Sequence, residues 1–404
     1  MIIIFYILAA LLIFLSYKSF RGGINYLNYF RRELAKPKSA YSPFVSIIAP
    51  CKGLDEDLEK NLTALFGQDY PHFEVIFVVD DENDQAVLVI EKVSGKAAEE
   101  AKKSRLVIAK IATDSSQKVE NLREAILHVD DKSKVFVFVD SDARPSKHWL
   151  RNLVAPLQDE KIGAATGYRW FFSNRQTFAS EMRAVWNASI ASALGPNTKT
   201  NFCWGGSMAI RRDVFEKLGI REKWRGALSD DFTVTRAMNE ANLPIYFVPQ
   251  ALIASIENCT FAGLLEFTTR QMKITRVYAS KLWLLSFFGS GLFNLVLAWS
   301  LFIVIFSRKN DAAVWAALST LMLVSFFSIG KSWLRLNAAK LVLEEHKKGL
   351  NRQFWTQNTL WAIVPALFFY NSFSALLSRK MTWRGITYKM ISSKETEIVE
   401  TDAK

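Results

Sequence analysis

Asp140 and Asp142 stand two residues apart at the end of the run Val135-Phe136-Val137-Phe138-Val139. Five β-branched or aromatic residues in succession read as a strand buried on both faces, in the middle of a mostly parallel sheet. Residues i and i+2 at the end of such a strand project to one side, and ligands of open α/β sheets sit beyond the carboxyl ends of the strands. Two hard anionic oxygen donors held there suit a divalent cation, Mg²⁺ or Mn²⁺, that also grips a diphosphate. Such a cation would offset the charge of a bound diphosphate. A solvated D-S-D turn is the alternative.

Other residues of chemical interest fall at comparable places. Phe73 to Val79 forms a second apolar run and also ends in acids, Asp80, Asp81 and Asp84. Leu228-Ser229-Asp230-Asp231 opens a segment with helical spacing, where an aspartate is usually a cap. Arg270 and Lys273 are three apart on a helical segment, so they share a face and can both reach a diphosphate. A basic helix face at a membrane surface is the competing account of Lys273 and Arg276.

The elements that must position these residues alternate between strand and helix from Phe44 onward. Val45 to Pro50 reads as a strand and Leu54 to Phe66 as a helix. Phe73 to Val79 is a strand, Leu106 to Ile111 a short strand, Val119 to Val129 a helix, and Val135 starts the next strand. The β-α-β-α-β order predicts an α/β fold, a mostly parallel sheet with helices on both faces. Gly163 to Arg169 is a further strand, and Cys203 to Ile210 contains a glycine loop that is otherwise an ordinary tight turn.

The chain has 404 residues and a formal charge of +12. Much of that excess lies beside apolar runs: Lys18, Arg21, Arg31 and Arg32 follow the first, and Lys331, Arg335, Lys340 and Lys347 separate the last two. That is the positive-inside pattern of an integral membrane protein, and no nucleic-acid motif competes with it. Residues 2–17, Leu284 to Phe306, Ala312 to Gly330 and Phe354 to Leu377 are uncharged and long enough to enter or span a bilayer. The first is read as an uncleaved anchor, since no charge precedes it and a basic cluster follows. The α/β domain then lies on the cytoplasmic face and the loop 307–311 outside. The last segment conflicts with the charge rule, and Pro365 and Asn371 give it a kinked or re-entrant route instead. Cys51, Cys203 and Cys259 are odd in number and widely spaced, as free thiols on a reducing side would be.

Lys52-Gly53-Leu54-Asp55 after the first strand, Gln68-Asp69-Tyr70-Pro71-x-Phe73-Glu74-Val75 before the second, and Asp81-x-x-Asp84-x-Ala86 after it occur in order, followed by D-S-D. This series resembles family 2-like glycosyltransferases of the GT-A (Rossmann-like) fold, closest to the ceramide glucosyltransferase group and its bacterial relatives, over about residues 43–390. The resemblance implies a membrane-bound inverting hexosyltransferase. Its donor would be a nucleotide sugar, UDP-glucose or UDP-N-acetylglucosamine. Its acceptor would be a lipid hydroxyl, whether of ceramide, a hopanoid or diacylglycerol. It implies Asp231 as the base, Asp81 as a nucleoside contact, and Gly206 in a loop against the sugars. Pro50, Lys52, Gly53, Lys118, Asp140, Arg270 and Lys273 complete the expected donor-binding set, with Asp140 and Asp142 on the metal. The family carries R-W where this chain has Lys273-Ile274, which removes a bidentate fork and a stacking platform and argues against a processive polysaccharide synthase. Trp383-Arg384-Gly385-x-x-Tyr388 resembles a further signature after the last apolar segment, which favours a tail near the cytoplasmic face over one outside. A nucleotide-sugar-binding membrane protein without turnover is the alternative from another class. The expected divisions are an anchor at 1–20, a basic linker at 21–42 and the catalytic domain at 43–262. An interfacial helix at 263–283, a membrane region at 284–378 and a tail at 379–404 follow.

Overall fold

The computed structural model describes residues 2–100, 102–307 and 312–401. It divides into two compact units. One comprises Met1–Arg32, Thr177–Ser192 and Thr260–Ser378; the other comprises Glu33–Gln176, Ala193–Cys259 and Arg379–Lys404.

The second unit is built on a seven-stranded sheet of β1 (Val45–Pro50), β2 (Phe73–Val79), β3 (Lys103–Ile108), β4 (Val135–Phe138), β5 (Ala164–Phe172), β6 (Met208–Arg211) and β7 (Ile245–Ile256). The strand order is β3-β2-β1-β4-β6-β5-β7. All pairs are parallel except those made by β6, which runs against both β4 and β5. The expected mostly parallel α/β sheet is therefore present, and β4 lies fully buried at its centre. Connections leave β1 and β4, which are neighbours, in opposite directions along the sheet, so the crevice beyond their carboxyl ends is the topological switch point at which such folds hold ligands. Ile48, Ile76, Val78, Phe136, Phe138 and Phe215 form the heart of the core beneath it.

Boundaries moved where local backbone chemistry intervened. The third strand spans Lys103–Ile108 rather than 106–111, because it pairs in register with Glu74 to Val79 and ends where β2 ends. The helix after β1 starts only at Leu58, since Asp57 sits in the left-handed region at φ 59°. The helix Gln117–Ala125 tightens into a 3₁₀ turn at Ile126–His128. Residues 380–401 are not an extended tail: they make a three-stranded antiparallel sheet, β8 (Lys380–Trp383), β9 (Ile386–Ser392) and β10 (Glu395–Thr401).

In the other unit, Ile2–Leu34, Ser280–Phe306 and Ala312–Lys340 are long and apolar enough to cross a membrane. The first runs well past the expected 2–17, because Lys18 and Arg21 are good helix formers and nothing stops it until the approach to Pro37. The last segment is a pair, Phe354–Ala362 and Val364–Leu377, bent by 58°. Pro365 opens the second helix of that pair, where its missing N–H is tolerated. Asn371 is buried there and its Oδ1 accepts hydrogen bonds from Thr268 Oγ1 (3.2 Å) and Thr269 Oγ1 (3.0 Å). Of the expected outer loop 307–311, residues 308–311 lie outside the described residues.

Candidate functional site

β4 stops at Phe138, Asp140 and Asp142 follow in the turn beyond it, and a single guanidinium bridges them. Arg169 Nη2 donates to Asp140 Oδ2 and Arg169 Nη1 to Asp142 Oδ2, each at 2.8 Å. Arg169 comes from β5 just past a bulge between Thr166 and Tyr168, where Gly167 is required because a Cβ would stand 2.0 Å from Ala251 O. A bulge re-aims the side chains that follow it, here Arg169. Its guanidinium also stacks 4.6 Å from the Trp204 ring.

On the other side of Asp140, Lys118 Nζ lies 2.7 Å from its Oδ1 and 3.3 Å from Asp230 Oδ1. Burial works against the Lys118 charge, but Asp140 and Asp230 outweigh it and raise the pKa. Burial also pushes Asp230 up to about 6, even with Lys118 beside it. Asp142 behaves oppositely: burial would raise it, yet the Arg169 guanidinium holds it down to about 2. The acids are thus sorted into one that ionises readily and one that does so reluctantly.

Asp231 is the second residue of the helix Asp230–Glu240. The cap of that helix is Ser229, not Asp230, since Ser229 Oγ accepts from Phe232 N at 3.3 Å. Asp231 Oδ1 accepts from Phe232 N (2.7 Å) and from the Ser229 hydroxyl, and its Oδ2 accepts from Gly205 N at 3.2 Å. Asp231 is partly exposed whereas Asp230 is buried. The glycine loop 203–207 is therefore held by the helix start, and it packs tightly. A Cβ on Gly205 would stand 2.3 Å from Asp230 Oδ2, and one on Gly206 2.7 Å from Asp140 Oδ2 and 2.2 Å from the Trp204 ring.

The loop after β1 closes the opposite wall. Pro50 ends β1 against Val78. Lys52 Nζ pairs with Asp80 Oδ2 at 2.5 Å, and Gly53, at φ +67°, donates its N–H to Asp84 Oδ1 at 2.9 Å. Asp84 is also the cap of the helix Gln85–Glu99. Asp80 and Asp84 are thus the acids that shape this loop. Asp81 is exposed, and its Oδ1 is engaged by Asn83 N at 2.9 Å. Asp55 accepts from Ser141 Oγ at 2.5 Å, in the middle of D-S-D, and pairs with Arg384.

Pro50, Lys52, Gly53, Asp81, Lys118, Asp140, Asp142, Gly206 and Asp231 all belong to the sheet unit. Arg270 and Lys273 belong to the other, on the helix Phe261–Tyr278, where Arg270 faces Glu266 at 3.9 Å. Sequence reasoning gave no role to Arg169 or Trp204 and quoted Asp55 only as part of the motif Lys52 to Asp55; an arginine on an otherwise apolar strand was the available signal for the first.

The donor set at Asp140 and Asp142 fits a divalent cation of the Mg²⁺ or Mn²⁺ type. Asp142 Oδ1 is buried with no hydrogen-bond donor against it, and both carboxylates are already arranged to share one cationic group. Among the described residues no group of three or more His, Cys, Asp or Glu forms a complete metal cage. Such ions are commonly held by one or two carboxylates together with substrate phosphates, and two carboxylates are what the strand end offers. The three cysteines are free and buried.

Two ceramide glucosyltransferases are similar to parts of this chain. That of Komagataella phaffii is 34% identical over 73 residues, 18% of this chain and 14% of its own length. That of Candida albicans is 30% identical over 123 residues, 28% of this chain and 22% of its own length. The matched stretches thus span less than a quarter of these relatives. A mannosyltransferase from Pyrobaculum calidifontis, solved in complex with GDP-Man and Mn²⁺, aligns with 91% of this chain and 99% of its own at 19% identity, with a TM-score of 0.49. Taken over residues 6–396, the sequence matches the model of glycosyl transferase family 21, and the chain belongs to that family.

Proposed function

We propose that this chain transfers a hexose from a nucleoside-diphosphate sugar to the hydroxyl of a membrane lipid, with inversion at the anomeric carbon. The observation that carries the reading is the pairing of Asp231 with the Asp140, Asp142, Lys118 and Arg169 cluster: one accessible carboxylate beside a charge-compensated diphosphate seat.

In this reading Asp231 accepts the proton of the acceptor hydroxyl. Its geometry supports the role, because hydrogen bonds from Phe232 N, the Ser229 hydroxyl and Gly205 N fix the position of the carboxylate at the start of its helix. The acceptor oxygen bonds to the anomeric carbon as the bond from that carbon to the diphosphate oxygen breaks. Lys118 and Arg169 offset the charge of the carboxylates that line the diphosphate seat. Asp140 and Asp142 would hold a divalent cation, which supplies further electrostatic stabilisation of the diphosphate when bound. The loop of Lys52 and Gly53 and the exposed Asp81 serve the nucleoside. Asp230, buried and paired with Lys118, orients that side chain instead of acting as base.

Family membership and three apolar helices support a lipid acceptor, and ceramide is the favoured member of that class. The basic residues flanking the apolar runs support a catalytic unit on the cytoplasmic face. The test is to incubate membranes containing the chain with radiolabelled UDP-hexoses and to identify labelled lipid by mass spectrometry. A new hexosyl-lipid is the expected result; label found only as free sugar contradicts transfer to a lipid.

A further inference from the structure

We propose that Arg384 is a ligand of the donor diphosphate, carried to the site by the carboxy-terminal sheet; this rests on the nucleotide-sugar reading above. The sheet β8–β10 is fixed to the elements that bear the site residues. The buried Tyr388 hydroxyl accepts from Gln117 N at 3.1 Å, next to Lys118. Thr396 Oγ1 donates to Gly226 O at 2.9 Å, shortly before Asp230, and Arg236, on the helix that Asp230 and Asp231 open, donates to Ser393 Oγ. Gly226, at φ +73°, has no room for a side chain, since a Cβ would lie 2.2 Å from Lys394 O.

From this base the β8–β9 hairpin projects a two-residue turn, because Trp383 pairs with Ile386. Its residues are Arg384 at φ 51° and Gly385 at φ 77°. Such turns favour Asn, Asp or Gly at the first position, so an arginine there is held in a disfavoured conformation, and conformations of this kind gather at functional sites. Arg384 Nη2 meets Asp55 Oδ1, and Asp55 Oδ2 accepts from Ser141 between the two acids of D-S-D. Asp142 and Glu257 add their attraction. Arg384 is 42% exposed while Asp55 is 10% exposed. Arg169 and Lys118, at 10% and 15%, are committed to carboxylates on both sides. Arg384 therefore keeps donors of its planar fork open to solvent, in the geometry that matches phosphate oxygens. It exchanges Asp55 for the diphosphate, and Asp55 sets its reach.

The test compares UDP with UMP, and GDP with GMP, by calorimetric titration of the full chain in detergent with Mn²⁺ present. Arg384→Ala is expected to weaken the nucleoside diphosphate by roughly 10- to 100-fold, the worth of a charge-assisted hydrogen bond, and the monophosphate by less than about threefold. Asp55→Asn releases the arginine and is expected to tighten the diphosphate. Equal losses for diphosphate and monophosphate in Arg384→Ala, or a loss in Asp55→Asn as large as in Arg384→Ala, would reduce the pair to a structural clamp and overturn the proposal. An unaltered chain that binds neither UDP nor GDP would remove the nucleotide-sugar reading itself, an outcome separate from the variants.

Discussion

Replacing Lys118 by methionine keeps the length of the side chain and removes its charge. Lys118 Nζ serves Asp140 at 2.7 Å and Asp230 at 3.3 Å, with side chains 15%, 18% and 5% exposed. Asp140 retains Arg169, so Asp230 is the carboxylate left stranded. Breaking a buried pair by deleting one partner costs about 3–5 kcal/mol. Part of that loss is avoided if Asp230 takes up a proton, and this gives the variant a distinctive pH dependence. With Lys118 present, burial raises Asp230 to about 6, above its usual carboxylate range. The folded state therefore binds a proton that the unfolded chain has released, and stability falls as pH rises through that window. Without Lys118 the folded pKa rises further, so the window extends upward and the deficit of the variant grows from pH 5 to pH 8. Thermal unfolding in detergent, followed by the fluorescence of the 12 tryptophans, reads this directly. At pH 8 the midpoint is expected to fall by roughly 6–20 °C, from about 2–4 °C per kcal/mol, and at pH 5 by less than half as much. A drop of equal size at both pH values, or none, would refute the assignment of Lys118 as the counter-ion of Asp230.

Gly206→Ala forces a Cβ against Trp204 and Asp140, so nucleotide affinity measured by titration is expected to fall at least about fivefold, an overpacking cost of about 1–3 kcal/mol falling on the site itself. Asp142→Asn removes one hard anionic oxygen beside Arg169; nucleotide binding is expected to weaken and to lose most of its enhancement by Mn²⁺, and an unchanged metal requirement would count against Asp142 as a ligand. Asn371→Ala deletes the acceptor shared by Thr268 and Thr269 and is expected to lower stability by about 1 kcal/mol, the usual scale for hydrogen bonds between membrane helices, with nucleotide affinity unaltered.

The apolar run at 135–139 announced a central strand because both its faces are buried, and the same logic placed β1 and β2. Asp140, Asp142 and the Lys52-Gly53 loop were legible for a related reason: a strand end in a parallel sheet can hardly avoid the ligand crevice. Partnerships between distant residues were not legible. Arg169 reaches D-S-D from 27 and 29 positions away through a bulge whose existence depends on β7, and no local pattern encodes that. Arg384 and Asp55 are separated by 329 positions, and only the resemblance around Trp383 to Tyr388 drew attention to that stretch. Ser229 took the cap that the sequence left open to Asp230, because an interior lysine claimed the aspartate. Apolar lengths identified the membrane helices, while their ends depended on where a proline or an irregular turn next stopped the backbone.

The most direct test of the account is Asp231→Asn in the full chain, with lipid transfer and nucleotide affinity measured on the same preparation. Asparagine can replace an aspartate that merely accepts backbone hydrogen bonds at a helix start, since the two are near equals there. A general base cannot be so replaced, and its loss typically costs about 10²-fold or more. Turnover is therefore expected to fall by at least that factor while the dissociation constant of the nucleotide changes little. Near-normal turnover in Asp231→Asn would contradict the assignment and transfer the role to another carboxylate of the site.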